Sequence, residues 1–438
     1  MPSERGSLLK ILGVAFGLAI LVGNTIGMGI LRTPGEVAAH VPSVPLYMGV
    51  WVAGALYALL GALTVAELAA MHPRSGGQYS LVSATLGPYP AFIVGWGDWL
   101  STCGSVAAVA MVLGEYVGPL IPAFAGHESL TASAVIVIFG VLQWSGIRIG
   151  DLAQQATSLI KAFALVALAV VALVVTVEPA STAAATTVVP VVPGGVALFA
   201  ALILALQSAI YTYDGWTGPI YFGEELRDPA RDIPRSMIGG VLLVLAIYLL
   251  LNAAFLRIIP IEDMAGDPFV AASAAVRLFG QNGDLVLRIV MVLSLVASVN
   301  ALVLMASRIP FAMSRDKFLP PMFSQVNAGG TPVPAHILSI LVALVFIATN
   351  TFETVISLLA FMFVTSYTLT FSGFFASRWK NPDAERPFKV PAYPLVPGLA
   401  LAGSAAFMVA AIVSDRANSL IAIGLIAASW PVYRSIRR

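Results

Sequence analysis

Long apolar segments, separated by short polar connections, recur along the whole 438-residue chain. A helix needs about 20 apolar residues to cross the hydrocarbon core of a bilayer, and most of these segments have about that length. Glycine, proline and charged residues mark their ends. The pattern predicts twelve membrane spans, near residues 8–31, 45–70, 88–118, 130–146, 151–177, 196–223, 235–258, 285–313, 334–350, 354–378, 394–414 and 418–436.

Composition excludes a water-soluble fold. Hydrophobic residues make up 59% of the chain and charged residues 10%, whereas a soluble domain carries roughly 25% charged residues. The formal net charge is +1, so charge indicates neither a nucleic acid nor an acidic partner. We therefore expect an all-α integral membrane protein, a single transmembrane domain over residues 1–438, surrounded by membrane lipid.

The basic residues predict the orientation of this protein in the cell membrane. Most of the 23 lysines and arginines lie where odd-numbered spans start or even-numbered spans end, including Arg5, Arg437 and Arg438. The opposite face has only Arg32, Arg257, Arg277, Arg288 and Arg416. Because cytoplasmic loops carry an excess of lysine and arginine, we expect both termini to be cytoplasmic.

Two of the predicted spans are interrupted. Span 1 contains Gly23, Gly27 and Gly29 within seven residues, and span 6 contains the segment Tyr211–Pro219, with two glycines, a carboxylate and a proline. Glycine costs roughly 1 kcal/mol relative to alanine inside a helix. Both spans are therefore predicted to unwind.

The two interrupted spans are five apart, as corresponding members of two five-helix halves. Such pairs are the sequence feature that indicates the midplane site of a transporter. Unwound backbone in a membrane needs partners, and a zwitterion supplies them: its carboxylate accepts from amides at a helix N-terminus, and its ammonium donates to freed carbonyls. An amino acid is the simplest such ligand. The alternative is that the glycines only allow close helix packing.

Five segments carry a family resemblance, in order and at the expected separations. They are Gly23–Ile30, Ala66–Tyr79, Tyr213–Arg235, Ser307–Pro320 and Arg386–Pro391. In them the sequence resembles the amino acid/polyamine/organocation superfamily, and within it the L-type amino acid transporter branch and its prokaryotic relatives. The resemblance implies a LeuT-type fold with inverted five-helix repeats at about 8–177 and 196–378, two extra helices at 394–436, and alternating access to a central site.

The resemblance also implies which residues bind the substrate. Backbone amides of Thr25, Ile26, Gly27 and Gly29 match those that hold the substrate carboxylate, and carbonyls of Tyr211, Thr212 and Asp214 match those that hold its ammonium. Tyr211 also occupies the position of the aromatic gate. Met28 replaces a serine or threonine frequent in relatives, so a hydroxyl contact to the carboxylate is absent. Further candidates for lining the pocket are Asn24, Met28, Trp216 and Asn300.

Lys161 lies about ten residues into span 5, where an isolated charge costs roughly 2.5–3.5 kcal/mol on insertion scales. The resemblance places it where the branch has a lysine that points at the first helix and replaces the sodium ion of more distant relatives. A fixed internal cation and a proton carrier are both compatible with this position. The alternative is a side chain that extends to the cytoplasmic interface.

The remaining polar residues of the spans have competing interpretations. Asp214 is expected to favour a cationic substrate, to pair with an internal cation or to cap the half-helix that follows. Glu67 is expected to pair with an arginine of a neighbouring loop, and Asp98 to be structural. For Asn300 helix packing is favoured over ligand contact. Trp216 either lines the cavity or packs on span 10.

Together these features predict a sodium-independent exchanger of neutral or cationic amino acids. The alternatives are a proton-coupled amino acid symporter and a carrier for polyamines or other organic cations. An enzyme is not expected, because no metal-ligand or nucleophile–base constellation occurs, and neither a metal nor a cofactor is expected. The segment Pro119–Thr131 contains no cysteine, which excludes the disulfide-linked heavy subunit used by animal members of the branch. A monomer or weak homo-oligomer is expected.

Overall fold

The computed structural model describes residues 8–175, 194–349, 352–414 and 416–436, without the side chains of 352–360 and 414. Within these ranges the chain is helical and has no β-strand. Arg5, Arg437 and Arg438, which contribute to the predicted orientation, lie outside the described residues. So do residues 176, 177 and 350, at the ends of the predicted fifth and ninth spans.

Seventeen α-helices follow one another in the described residues. Those of the first half are α1 (Val14–Thr25), α2 (Gly29–His40), α3 (Val44–Met71), α4 (Gly77–Thr85), α5 (Pro88–Val117), α6 (Glu128–Trp144) and α7 (Ile147–Val174). Those of the second half are α8 (Gly195–Thr212), α9 (Pro229–Ile258), α10 (Ile261–Met264), α11 (Val270–Phe279), α12 (Gly283–Ala306), α13 (Arg308–Arg315), α14 (Val333–Thr349), α15 (Phe352–Lys380), α16 (Leu395–Ser414) and α17 (Arg416–Ile436).

Many of these helices have the length and composition of membrane spans. Eight helical segments of the described chain qualify alone, and α1 with α2 forms a ninth that is bent by 52°. Two further apolar helices, α6 and α14, have 17 residues each. The prediction of an all-α membrane protein is thereby confirmed.

Span 7 starts earlier than predicted, because α9 begins six residues before the expected position 235. The prolines of this segment explain the difference. Pro229 occupies the first helical position, where a backbone N–H has no intrahelical acceptor and its loss costs nothing. Pro229, which the sequence analysis assigns to a loop, is therefore the first residue of α9.

The helices pack around the interrupted first span. α1 contacts α7, α9 and α12, whereas α2 contacts α8. The polar segment after α9 holds the short helices α10 and α11, and it packs on α2: Gly266 N–H donates to Gly35 O at 2.9 Å. Each half of the broken span therefore has its own set of neighbours.

Ion pairs join the loops at one end of the bundle. Arg74 makes two hydrogen bonds to Asp316, of 3.0 and 2.7 Å, and Arg315 binds Glu224 at 2.6 and 2.7 Å. Burial alone would lower the pKa of Arg74, but the hydrogen bonds and charge of Asp316 raise it. These pairs connect the loop after α3, the segment before α9 and the end of α13.

A third pair at this end is fully buried. Arg308 donates to both carboxylate oxygens of Glu225 at 3.0 Å, with side-chain exposures of 1% and 0%. Burial raises the pKa of the Glu225 carboxyl, and the charge of Arg308 opposes that rise. A buried charge left without its partner is strongly destabilising, so this pair fixes α13 against the segment before α9.

Glu67 and Asp98 have the structural partners that the sequence suggests. Glu67 accepts from Arg378 at 2.7 Å and from Arg386, in the loop before α16, at 3.1 Å. This confirms the expected arginine partner from a neighbouring loop. Both oxygens of Asp98 lie within 2.9 Å of the Tyr221 hydroxyl, which donates to them. Glu67 thus joins α3 to α15 and to the loop that follows it.

Candidate functional site

The two predicted helix breaks exist and meet each other. α1 ends at Thr25 and α2 begins at Gly29; α8 ends at Thr212 and is followed by turns and a 3₁₀ segment, Gly218–Phe222. The Asn24 side chain donates to Gly215 O at 3.2 Å. Gly215 has φ +115°, and a Cβ there would lie 2.8 Å from Thr25 Oγ1. Only glycine allows this approach.

The start of α2 offers free amide groups at the first break. Gly27, Met28 and Gly29 are half-buried, and their N–H groups have no hydrogen-bond acceptor among the described residues. Helix N-termini with such amides favour anions. The expectation for the two preceding residues needs correction: Thr25 is part of α1, and Ile26 N–H donates to Val22 O at 3.1 Å. The α1 helix continues further than the glycines indicate.

Lys161 lies at the carbonyl end of α1. It is fully buried, and its Nζ donates to Gly23 O at 3.0 Å, to Ser298 Oγ at 2.9 Å and to Ile26 O. A cation is stabilised at the C-terminus of a helix, where the carbonyl groups point outward. The position excludes the alternative in which this lysine extends to the membrane interface.

Tyr248 in α9 is the site residue that sequence analysis missed. Its hydroxyl lies 3.1 Å from Thr25 O and 3.0 Å from Thr212 O, so it connects both breaks. One phenolic proton serves two carbonyls, which leaves each of them only partly satisfied. The available signal was the pair Tyr248 and Asn252, two polar residues one turn apart in the otherwise apolar part of α9 between Ile238 and Leu256.

The predicted ammonium acceptors are partly occupied. Thr212 O is engaged by Tyr248, and Tyr211 O accepts from Asp214 N–H at 3.2 Å. Gly215 O, not predicted, accepts from Asn24. Both breaks are thus held by side chains of the protein itself in this conformation.

A cavity of about 450 Å³ borders the second break only. Its lining contains Tyr211, Asp214 and Trp216, together with aromatic and hydroxyl side chains of other helices, but none of residues 24–29. Those side chains include Tyr57 of α3, Ser101 and Ser105 of α5, and Phe363 and Tyr367 of α15. Tyr211, the predicted gate, has 67% of its surface exposed. The structure therefore separates the cavity from the amides of α2.

Asp214 is half-buried at this cavity, and it accepts a hydrogen bond of 2.7 Å from the Tyr367 hydroxyl. Within the described ranges it forms no ion pair, and the 3₁₀ segment after it has no side-chain cap. In this conformation Asp214 therefore neither caps the 3₁₀ segment nor pairs with an internal cation among the described residues. The remaining expected role is selection of a cationic substrate, since the Asp214 carboxylate faces a cavity and has no cation partner among the described residues.

Trp216 contacts both the cavity and another helix. It lines the cavity, and its ring stacks on Tyr367 of α15, with centroids 5.2 Å apart and an interplanar angle of 23°. Since α15 covers predicted span 10, Trp216 packs on that span, and its role in a substrate pocket stays a prediction.

Asn300 is a packing residue rather than a pocket residue. It is fully buried, donates to Gln154 Oε1 at 2.7 Å and accepts from Gln143 Nε2 at 2.8 Å. Gln154 in turn donates to Ala19 O at 3.1 Å. The amide therefore belongs to a polar chain that ties α6, α7 and α12 to α1, and its place among the pocket candidates is corrected.

Comparison with known proteins adds a family match over nearly the whole chain. The sequence model of the family described as Amino acid permease matches residues 7–430. The chain is 28% identical to the serine/threonine exchanger SteT of Bacillus subtilis (strain 168), with 100% of this chain and 99% of that protein covered.

Two mammalian proteins are similarly related. The b(0,+)-type amino acid transporter 1 of Mus musculus is 27% identical, with 94% of this chain and 84% of that protein covered. The large neutral amino acids transporter small subunit 2 of Mus musculus is 29% identical, with 88% and 73% covered. All three names describe transporters or exchangers.

Proposed function

The chain belongs to the amino acid permease family, and from this premise we propose that it is a sodium-independent amino acid exchanger that works by alternating access. As a member of this family it is a multi-pass membrane protein that transports amino acids, and not an enzyme. The observation that carries the proposal is Lys161, whose ammonium lies between α1 and α12. Because this cation is part of the chain, the proposed mechanism needs no sodium ion at this position.

The topology proposed for this function has twelve spans, with both termini cytoplasmic. The helix packing supports two inverted repeats: α5 contacts α15, and α12 contacts α7. If α5 and α12 are the third members of the two repeats, and α7 and α15 the fifth, each third member packs on the fifth member of the other repeat. The interrupted helices α1–α2 and α8 are then the two first members.

The substrate is proposed to bind between the breaks. Its carboxylate accepts from the free amides of Gly27 and Gly29, without a hydroxyl from Met28, and its ammonium donates to carbonyls of Tyr211, Thr212 and Asp214. Tyr248 occupies one of these carbonyls in the present conformation, so substrate binding replaces that hydrogen bond. Tyr211 is proposed to close over the bound substrate.

Uptake into proteoliposomes tests the proposal. We would measure uptake of labelled amino acids and putrescine without sodium, into vesicles that are empty or preloaded with unlabelled amino acid. An exchanger requires preloading and ignores sodium. A strict sodium requirement would overturn the role of Lys161, and uptake into empty vesicles would overturn exchange.

Gly29→Val tests the binding site itself. A Cβ at Gly29 would lie 2.9 Å from Thr212 Cγ2, so the added side chain occupies the space between the breaks. We expect loss of uptake with normal membrane expression. Gly49→Val, at a helical position with nothing within 4 Å of its Cβ, is the matched control. Normal uptake by Gly29→Val would show that the site is elsewhere.

A second candidate function, transport of a cationic substrate, is favoured by Asp214. Its carboxylate borders an aromatic cavity and has no cation partner in the part of the chain described. Aromatic faces and a carboxylate together recognise an organic cation. Selective uptake of a dibasic amino acid or of putrescine in the same assay would establish this function.

Proton-coupled symport is the remaining alternative, with Lys161 as the carrier. In this conformation its Nζ donates to two carbonyls and a hydroxyl, a set of contacts that is compatible with a fixed cation and with a proton carrier. An inward proton gradient that drives accumulation into empty vesicles would instead establish symport.

A disulfide-linked partner is not part of the proposal. One relative is named a small subunit, but the single cysteine of this chain, Cys103, is buried in α5. A buried thiol inside a span is not available to another chain. We propose that the protein works as a monomer or a weak homo-oligomer.

A further inference from the structure

A second cavity, of about 420 Å³, lies where α9 begins. Its lining includes Arg231 and Arg235 from α9 and Pro387 and Phe388 from the loop before α16, but no acidic residue and none of the residues of the two breaks. The proposed transport mechanism does not use it.

The two arginines present an uncompensated positive charge. They are four residues apart, so their side chains lie on one face of α9, and both are exposed. Neither forms an ion pair within the described residues. The acid between them, Asp232, is buried and accepts from Asp228 N–H at 3.2 Å. That carboxylate is directed to the helix start.

The opposite wall of the cavity is held in place. Arg386 is buried and donates to Glu67 and to the carbonyls of Pro382 and Ala384. Val390 N–H donates to Glu67 Oε2 at 2.7 Å. Phe388 lies between these two anchored residues, so the cavity exists before any ligand binds.

The face of α9 that begins with the arginines continues as an apolar stripe. Ile238 and Gly239 line the cavity, and Leu242 and Leu243, one turn further, are 47% and 42% exposed. Because α9 is long and apolar enough to span a membrane, this stripe contacts acyl chains. The arginines at its end then lie at the depth of the lipid headgroups.

We propose that this cavity binds the phosphate group of an anionic phospholipid. Arg231 and Arg235 bind the phosphate, Pro387 and Phe388 enclose the headgroup, and one acyl chain lies along Leu242 and Leu243. The guanidinium groups match phosphate geometry. The apolar stripe distinguishes a lipid from a soluble phosphate, which would gain nothing from it.

Binding of a fluorescent phosphatidylglycerol to the detergent-solubilised protein tests this proposal. A basic residue near an anionic headgroup is worth about 1 kcal/mol, so each of Arg231→Gln and Arg235→Gln should weaken binding about fivefold. Arg148→Gln is the matched control, since Arg148 is also exposed and without an ion pair in the described chain. The control variant should bind as the natural protein does.

Three results would overturn the proposal. One is unchanged affinity in the doubly substituted protein, provided that it elutes as a single species and still exchanges amino acids. Another is equal binding of phosphatidylcholine, which has no net charge. The third is complete displacement of the lipid by inorganic phosphate at equal concentration, which would make the cavity a site for soluble anions.

Discussion

The first and second helix breaks lie against each other, but different chemistry stabilises them. At the first break the carbonyl end of α1 is bound by a buried ammonium and by the Ser298 hydroxyl, which donates to Gly23 O at 2.8 Å. At the second break the polar partner is a half-buried carboxylate, Asp214, bonded to the Tyr367 hydroxyl and bordering a cavity. At the first break the carbonyl end of α1 is therefore occupied by side chains of the protein, whereas the second break faces open space.

This difference indicates a division of roles. A break that is tied to α7 and α12 by a charged side chain has a fixed backbone, and it is suited to hold the constant part of a substrate. A break that borders a cavity of about 450 Å³ can accommodate a variable part. Tyr248 touches both breaks and couples them.

The largest effect is expected from a substitution at the first helix break. Lys161→Met leaves the carbonyls of Gly23 and Ile26 buried without their charged donor, and an unsatisfied buried polar group costs about 1–3 kcal/mol. We expect exchange to fall at least about 100-fold, together with a lower melting temperature in detergent. Lys161→Arg is the control that keeps the charge. Full exchange activity in the methionine variant would refute a requirement for an internal cation.

The next largest effect is expected from a substitution at the second helix break. Asp214→Asn removes the carboxylate but keeps an acceptor for the Tyr367 hydroxyl. We expect about tenfold weaker uptake of cationic amino acids, the equivalent of about 1.4 kcal/mol, and little change for neutral ones. The measurement is competition between a neutral and a dibasic amino acid. An equal loss for both would mean that Asp214 supports the fold rather than selecting the substrate.

Tyr248→Phe removes the hydroxyl that connects the two helix breaks. A hydrogen bond of this kind contributes about 1 kcal/mol, so we expect about a fivefold change in the apparent affinity for substrate. We expect the apparent affinity to increase, because the phenylalanine variant no longer donates to Thr212 O and leaves this carbonyl free for the substrate ammonium. Kinetics from both sides of the membrane would measure it, and unchanged values on both sides would contradict the bridging role.

The smallest effect is expected for Ser298→Ala. The hydrogen bond from Lys161 Nζ to Ser298 Oγ and the bond from that hydroxyl to Gly23 O are both lost. The lysine keeps its charge and its two carbonyl partners, so exchange should fall only about twofold to fivefold. The variant serves as a calibration for Lys161→Met, because it alters the same contact set without changing charge. A loss as large as that of the lysine variant would assign the function of this site to the hydroxyl.

Sequence patterns predicted an all-helical membrane protein and both breaks, because apolar runs, glycine and proline determine helix length and helix ends locally. They also placed Lys161 against the first helix, although only through the family resemblance. Sequence patterns could not predict which backbone and side-chain polar groups form hydrogen bonds between different helices. Ile26 N–H donates to Val22 O of α1, Asn300 binds Gln143 and Gln154, and Tyr248 donates to two carbonyls. These outcomes depend on distances between helices far apart in sequence.

The covalent attachment of the ammonium at the first break has a thermodynamic consequence. In the proposed exchanger Lys161 stays attached to the chain and keeps its proton, so no ion crosses the membrane at this position when the substrate does. A carrier of this kind gains no work from an ionic gradient. Its accumulation of one amino acid is then limited by the concentration ratio of the amino acid that leaves, and the cell can set the direction of net flow through its own pools.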